Sequence, residues 1–225
     1  MTGAAYAYGA VLQLRNLAAA TVFAATSVAA ENVEIIILGD SLTAGYGLPA
    51  ADGFVPQMQA WLDKAGVQVT LVNAGVSGDT TAGGLSRVDW MLTPDIDAMV
   101  VALGGNDYLR GLDPAVSREN LRGILDKAMA ADLDVLLIGI TAGGNYGPDY
   151  QDDFNSMYTE LAQIYDVPLV PTFFQGVIEA VETQDAVLSY MQSDGIHPNA
   201  SGVGLIVSSL GPQFAALAKT VQDGE

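Results

Sequence analysis

Ile35-Ile36-Ile37-Leu38-Gly39-Asp40-Ser41-Leu42 is an apolar run, rich in β-branched residues, that stops at a glycine and delivers a serine. Such a run reads as a buried strand of a parallel sheet. The turn after it sets Ser41 at the carboxyl edge, where open α/β sheets bind their ligands. Outward from this stretch, short apolar runs alternate with longer amphipathic ones, the rhythm of βαβ units around a parallel sheet. Strands are predicted over residues 33–38, 68–72, 98–103, 134–140 and 168–170. Helices are predicted over 54–64, 80–92, 114–131, 151–165, 173–181 and 200–221. Asp79 or Thr80 is suited to cap the second of these, and Gly211-Pro212 to bend or break the last. Three strands run into glycine-bearing polar turns, at residues 39–42, 73–79 and 104–107, and in a parallel sheet those turns share one edge.

Composition narrows the chemistry. Half of the 225 residues are hydrophobic, enough for one well-buried core, and a single domain is expected over 31–225. The absence of cysteine removes disulfides, thiolate nucleophiles and cysteine metal sites. A formal charge of -18, from 26 acidic against 8 basic residues, disfavours nucleic acid and anionic membrane surfaces as partners. The scattered acids read as a solvated surface. They show no calcium-loop spacing, and no metal or organic cofactor is expected.

Residues 1–30 hold no acid, one arginine at Arg15, an apolar stretch over 17–29 and an exit through Val28-Ala29-Ala30. That order reads as a secretory signal peptide cleaved before Glu31, placing the mature chain in the periplasm or outside the cell. The alternatives are a retained N-terminal helix and an uncleaved anchor. With the segment removed, no stable membrane insertion is expected. The sequence leaves the oligomeric state open, with a monomer favoured.

A serine hydroxyl needs a base, and the chain has one histidine, His197. Asp194 stands three residues before it, and Gly195 between them allows a turn that brings the carboxylate to the imidazole. Pro198 suits the first position of the following helix, which would project His197 from a fixed helix entrance. An oxyanion would find donors in the N–H groups of Ser41 and Gly78 and in the Asn106 side-chain amide. Each piece also has a plain structural role: Ser41 as a helix cap, Gly78 as a turn residue, Asn106-Asp107 as an Asx-turn.

Gly39-Asp40-Ser41-Leu42, the Gly78-containing turn, Gly104-Gly105-Asn106-Asp107 and Asp194-Gly195-Ile196-His197-Pro198 together resemble the four blocks of the SGNH, or GDSL, hydrolases. Within that family the chain is most similar to the bacterial thioesterase I, lysophospholipase and arylesterase group. Residues 37–46, Leu109-Arg110-Gly111 and Asn145-Tyr146-Gly147 carry the likeness.

The resemblance implies a three-layer α/β/α sandwich with a five-stranded parallel sheet, flavodoxin-like in layout. It also implies a Ser41, Asp194 and His197 triad, and an oxyanion hole of Ser41, Gly78 and Asn106. It makes residues 108–114 a mobile loop that contacts an acyl chain, and Tyr108 and Leu109 the candidate binding residues there. Residues 141–150, with Tyr146, form a candidate pocket rim. The alternatives are an ordinary strand-to-helix connection and a flexible surface loop. The expected activity is hydrolysis of carboxylic esters through an acyl-enzyme, extending to thioesters or lysophospholipids. A carbohydrate O-deacetylase and a non-catalytic binding protein on the same fold are the competing readings.

Overall fold

The computed structural model describes residues 1–2 and 33–224. Most of the expected signal segment, and its exit before Glu31, lie outside the described residues. In chain order the elements are β1 (Val33–Gly39), α1 (Ser41–Ala44), α2 (Phe54–Ala65), β2 (Val69–Gly75), α3 (Thr81–Arg87), β3 (Ala98–Ala102), α4 (Gly105–Leu109), α5 (Pro114–Ala130), β4 (Asp134–Ile138), α6 (Pro148–Tyr165), β5 (Leu169–Val170), α7 (Gln175–Ala180), α8 (Gln184–Val187) and α9 (Ala200–Gly224). The five strands form one parallel sheet in the order β2-β1-β3-β4-β5. Helices α2, α7 and α9 pack together, as do α3, α5 and α6, so two helical layers enclose the sheet.

Ile35, Ile37 and Leu38 of β1 and every residue of β3 are almost wholly buried, as strands covered on both faces must be. The strand order reverses between β1 and β3. In such sheets the ligand crevice opens where neighbouring connections leave for opposite faces. Ser41 follows β1 and Asn106 follows β3, which places both at that point.

Three details depart from the sequence reading. β2 continues through Asn73 and Ala74 to Gly75, because its pairing with β1 runs on until Gly39 meets Gly75. Thus part of the expected polar turn is strand. The helix expected over 80–92 closes at Arg87 and continues as a short 3₁₀ turn over Val88–Trp90; Thr80 is its cap, accepting from the Gly83 N–H.

The last helix is not broken: α9 runs unbroken through Gly211 and Pro212. Proline there removes one helical hydrogen bond at a cost of about 3 kcal/mol. Leu210, Phe214 and Leu217 are buried on the same helix, and each contributes about 1.5–3 kcal/mol, so packing outweighs the defect. Among the described residues α9 is the one helix long and apolar enough to cross a membrane, and its apolar face belongs to the core.

Candidate active site

Ser41 is the first residue of α1, and Asp40, not Ser41, caps that helix: its Oδ1 accepts from the Leu42 N–H at 3.0 Å. The α1 turn lies directly on the strand ends. A Cβ at Gly39 would come within 2.2 Å of Thr43 Oγ1, and one at Gly75 within 2.4 Å of the same atom. The two glycines therefore let the serine turn sit down on the sheet. Asp40 is 1 % exposed, and its burial pushes the carboxyl up from 3.8 to about 6 against the pull of its hydrogen bonds.

The histidine arrives from the segment before α9. His197 Nε2 lies 2.8 Å from Ser41 Oγ, and His197 Nδ1 lies 2.7 Å from Asp194 Oδ2. Asp194 Oδ1 accepts from the backbone N–H groups of Ile196 and His197, so one carboxylate both shapes the turn and meets the ring. Its side chain is 37 % exposed, and these bonds, led by the one from His197, hold its pKa down at about 2.

Pro198 does not start the helix. It forms an antiparallel bridge with Met191, and Asn199 caps α9 by accepting from the Gly202 N–H. The bridge arises because the loop folds back on residues 190–192, where Gln192 N–H donates to the His197 carbonyl at 2.7 Å. Gln192 Nε2 donates to the carbonyls of Tyr46 and Pro198, fastening the histidine loop to the segment that follows α1. The Tyr46 ring lies tilted at 37° against the imidazole with centroids 4.6 Å apart.

The other two turns meet behind Ser41. Asn106 Nδ2 donates to Asp40 Oδ2 at 3.3 Å. The adjacent Asp107 is buried and accepts from Thr81 N–H, Thr81 Oγ1 and Ser117 Oγ, which ties α3, α4 and α5 together beside the turn that holds Gly78. Gly78 has φ of +88°, a conformation open to glycine at little cost, and its carbonyl accepts from Arg110 Nη2 at 2.8 Å. Arg87 links the same turn to β1, donating from Nε to Asp79 and from Nη2 to the Gly39 carbonyl.

A cavity of about 200 Å³ opens at the serine; Asp40, Ser41, Asn106 and His197 line it together with the apolar side chains of Leu42, Tyr108, Leu109, Ile140, Phe174 and Ile196. The fold thus gathers Ser41, His197, Asn106, Tyr108 and Leu109 at one opening. Asp194 stands behind the imidazole. Gly78 and Tyr146 are not among the lining residues. Tyr146 instead braces the loop: its Oη donates to the Leu109 carbonyl at 3.3 Å, and its ring meets Tyr108 edge-on.

Sequence reading gave no role in the site to Asp40, Tyr46, Gln192, Arg87 or Asp107, although Asp40, Tyr46 and Asp107 stand in the stretches that carry the resemblance. Asp40 alone carried a local signal, its capping position immediately before the serine. Chemically the arrangement offers a hydroxyl within reach of a ring nitrogen that can take its proton, a carboxylate on the opposite nitrogen, and an apolar recess for a neighbouring group. Among the described residues no group of three or more His, Asp or Glu is placed to hold a metal.

The chain is similar to known proteins over most of its length. Residues 37–205 match the GDSL-like lipase/acylhydrolase family. The chain is 39 % identical over 184 residues to the esterase TesA of Pseudomonas aeruginosa, a match covering 81 % of this chain and 88 % of that protein. It is 38 % identical over 184 residues to thioesterase 1/protease 1/lysophospholipase L1 of Escherichia coli K12, covering 81 % and 84 %. The crystal structure of TesA superposes with a TM-score of 0.73 at 37 % identity over 82 % of this chain and 99 % of that one. That of AlinE4, an SGNH-hydrolase family esterase, gives 0.67 at 41 % identity over 83 % and 96 %.

Proposed function

This chain belongs to the GDSL-like lipase/acylhydrolase family and is a hydrolase of ester bonds; on that premise we propose that Ser41 is its nucleophile, His197 its general base and acid, and Asp194 the carboxylate that orients His197. The single observation that carries this reading is the unbroken hydrogen-bonded line from Ser41 Oγ through the imidazole to Asp194 Oδ2.

As Ser41 Oγ attacks the acyl carbon, its proton passes to His197 Nε2. The imidazolium so formed is stabilised by Asp194, which the low pKa of about 2 keeps ionised throughout the working range. The oxyanion accepts from the Ser41 and Gly78 N–H groups and from the Asn106 amide. Collapse of the tetrahedral intermediate expels the alcohol or thiol, which takes the proton from His197. Water then repeats the sequence on the acyl-enzyme and releases the acid.

The acyl group lies in the recess of Leu42, Tyr108, Leu109, Ile140 and Phe174. Tyr146 contributes by holding Leu109 rather than by touching substrate. The substrate class is a carboxylic ester or thioester with an apolar acyl group, lysophospholipid included, and no metal or organic cofactor takes part. Residues 1–30 act as an export signal cleaved before Glu31, which leaves residues 31–225 as one mature domain in the periplasm or medium.

The test is hydrolysis of a p-nitrophenyl ester series from acetate to decanoate, beside acyl-CoA and lysophospholipid, by wild type and Ser41→Ala. Wild type should turn over medium-chain esters, and Ser41→Ala should lose roughly 10⁴-fold or more of kcat. Equal turnover by the two proteins overturns the assignment. Activity confined to acetate favours the deacetylase reading.

A further inference from the structure

The reaction as written leaves one buried ionisable group of the site without a task. Asp40 lines the cavity, is 1 % exposed, and immediately precedes the nucleophile while its carboxyl meets the Asn106 amide. Its two oxygens are both committed, Oδ1 to the Leu42 N–H and Oδ2 to Asn106 Nδ2. A primary amide has two N–H bonds. With one held by Asp40, the rotation of the Asn106 carboxamide is fixed and the second N–H is free for an oxyanion.

We propose that Asp40, in its charged form, is a positioning residue that holds Asn106 as an oxyanion donor, so that full activity requires Asp40 ionised as well as His197 neutral. This rests on the reading of Asn106 as such a donor. A carboxylate supplies acceptors to both of its partners at once. A protonated carboxyl, or the carboxamide of an asparagine, presents one oxygen free to accept and one group that donates, so it can serve Leu42 or Asn106 but not both.

The charged groups around Asp40 are few. From its own turn comes the Leu42 N–H. Asp107 on α4 opposes its ionisation, and His197, when protonated, favours it. Tyr158 of α6 is fully buried nearby and feels the Asp40 charge, and Arg87 reaches the carbonyl of the preceding Gly39. Burial dominates this set and places the titration of Asp40 at about 6, inside the range in which an esterase is assayed.

The experiment compares pH profiles of kcat and KM, from pH 4.5 to 8.5, for wild type, Asp40→Asn, Asn106→Ala and the double variant, with folding followed by circular dichroism at each pH. Asp40→Asn should lower kcat about tenfold at pH 8 with KM changed less than twofold, in keeping with one weakened donor. That ratio should shrink toward one near pH 4.5, because the wild-type carboxyl is then protonated too. In the Asn106→Ala background, Asp40→Asn should have no further effect.

A structural role would give a ratio independent of pH, or effects that multiply in the double variant, and either result overturns the proposal. Wild-type kcat/KM falling on the acid side as a single ionisation overturns it without any variant, which covers the case in which Asp40→Asn does not fold. Full activity of Asn106→Ala, with Ser41→Ala inactive, instead removes the oxyanion role on which the proposal stands and leaves the nucleophile untouched.

Discussion

Asp40, next to the proposed nucleophile Ser41, and Asp194, on the far side of His197, occupy opposite kinds of surroundings. Asp40 is buried at the start of α1 with two donors, and its carboxyl is driven up to about 6. Asp194 sits on an exposed loop with three donors, two backbone N–H groups and the imidazole, and is driven down to about 2. The same side chain moves in opposite directions because desolvation penalises the charged form while hydrogen bonds to it reward it. At Asp40 the first effect wins, at Asp194 the second. The site therefore contains one carboxylate that stays charged at any working pH and one whose charge is conditional.

The largest way to break that contrast is Asp194→Asn. It removes the charge opposite Nδ1 and allows the wrong imidazole tautomer, and kcat should fall roughly 10²- to 10⁴-fold with the fold intact. Steady-state kinetics on a p-nitrophenyl ester would measure it. A loss below tenfold would mean that solvent, to which this loop is open, substitutes for the carboxylate.

A smaller effect sharpens the comparison through stability. The folded chain binds a proton at Asp40 more tightly than the unfolded chain does, since about 6 exceeds 3.8. The stability this gives is fully present below pH 3.8 and is lost as pH rises through about 6. Asp40→Asn carries no such loss, so it should gain stability relative to wild type by up to about 3 kcal/mol at pH 8 compared with pH 4. Asp194 has the reverse sign: its contribution is present above pH 3.8 and fades as pH falls toward 2. Urea unfolding at the two pH values would detect the Asp40 gain, and an unchanged difference between wild type and Asp40→Asn would contradict the burial argument.

The smallest expected effect concerns Tyr46. Its ring contact with His197 contributes about 0.5–1.5 kcal/mol. Tyr46→Leu should therefore lower kcat about two- to tenfold, while the Gln192 bond to the residue 46 carbonyl survives because it uses backbone. Kinetics with a water-soluble ester would show it, and an unchanged kcat would mean that the hydrogen bonds of the loop hold His197 without the ring contact.

Much of this was legible in the residues. The β-branched run before Gly39, the apolar run that became β3 and the amphipathic stretches between them specified a parallel sheet between helices, because strands buried on both faces must be apolar throughout. The lone histidine made His197 the only imidazole available to Ser41. What the reading misjudged has local causes. Pro212 looks like a helix breaker in isolation, yet Phe214 and Leu217 pack the helix into the core. Pro198 looks like a helix start, but the Met191 bridge takes it. β2 extends past its apolar part because β1 offers a partner as far as Gly39.

The sequence by itself determined the fold class and the set of groups available for chemistry, since both follow from residue type and spacing along the chain. Only the tertiary structure decided how those groups sense one another. Gln192 reaches Tyr46 across 146 residues, and Asn106 meets Asp40 across 66, contacts with no local trace. Whether an aspartate is driven up or down depends on the water it loses and the donors it gains. Folding sets both, and Asp40 and Asp194 read alike until it has done so.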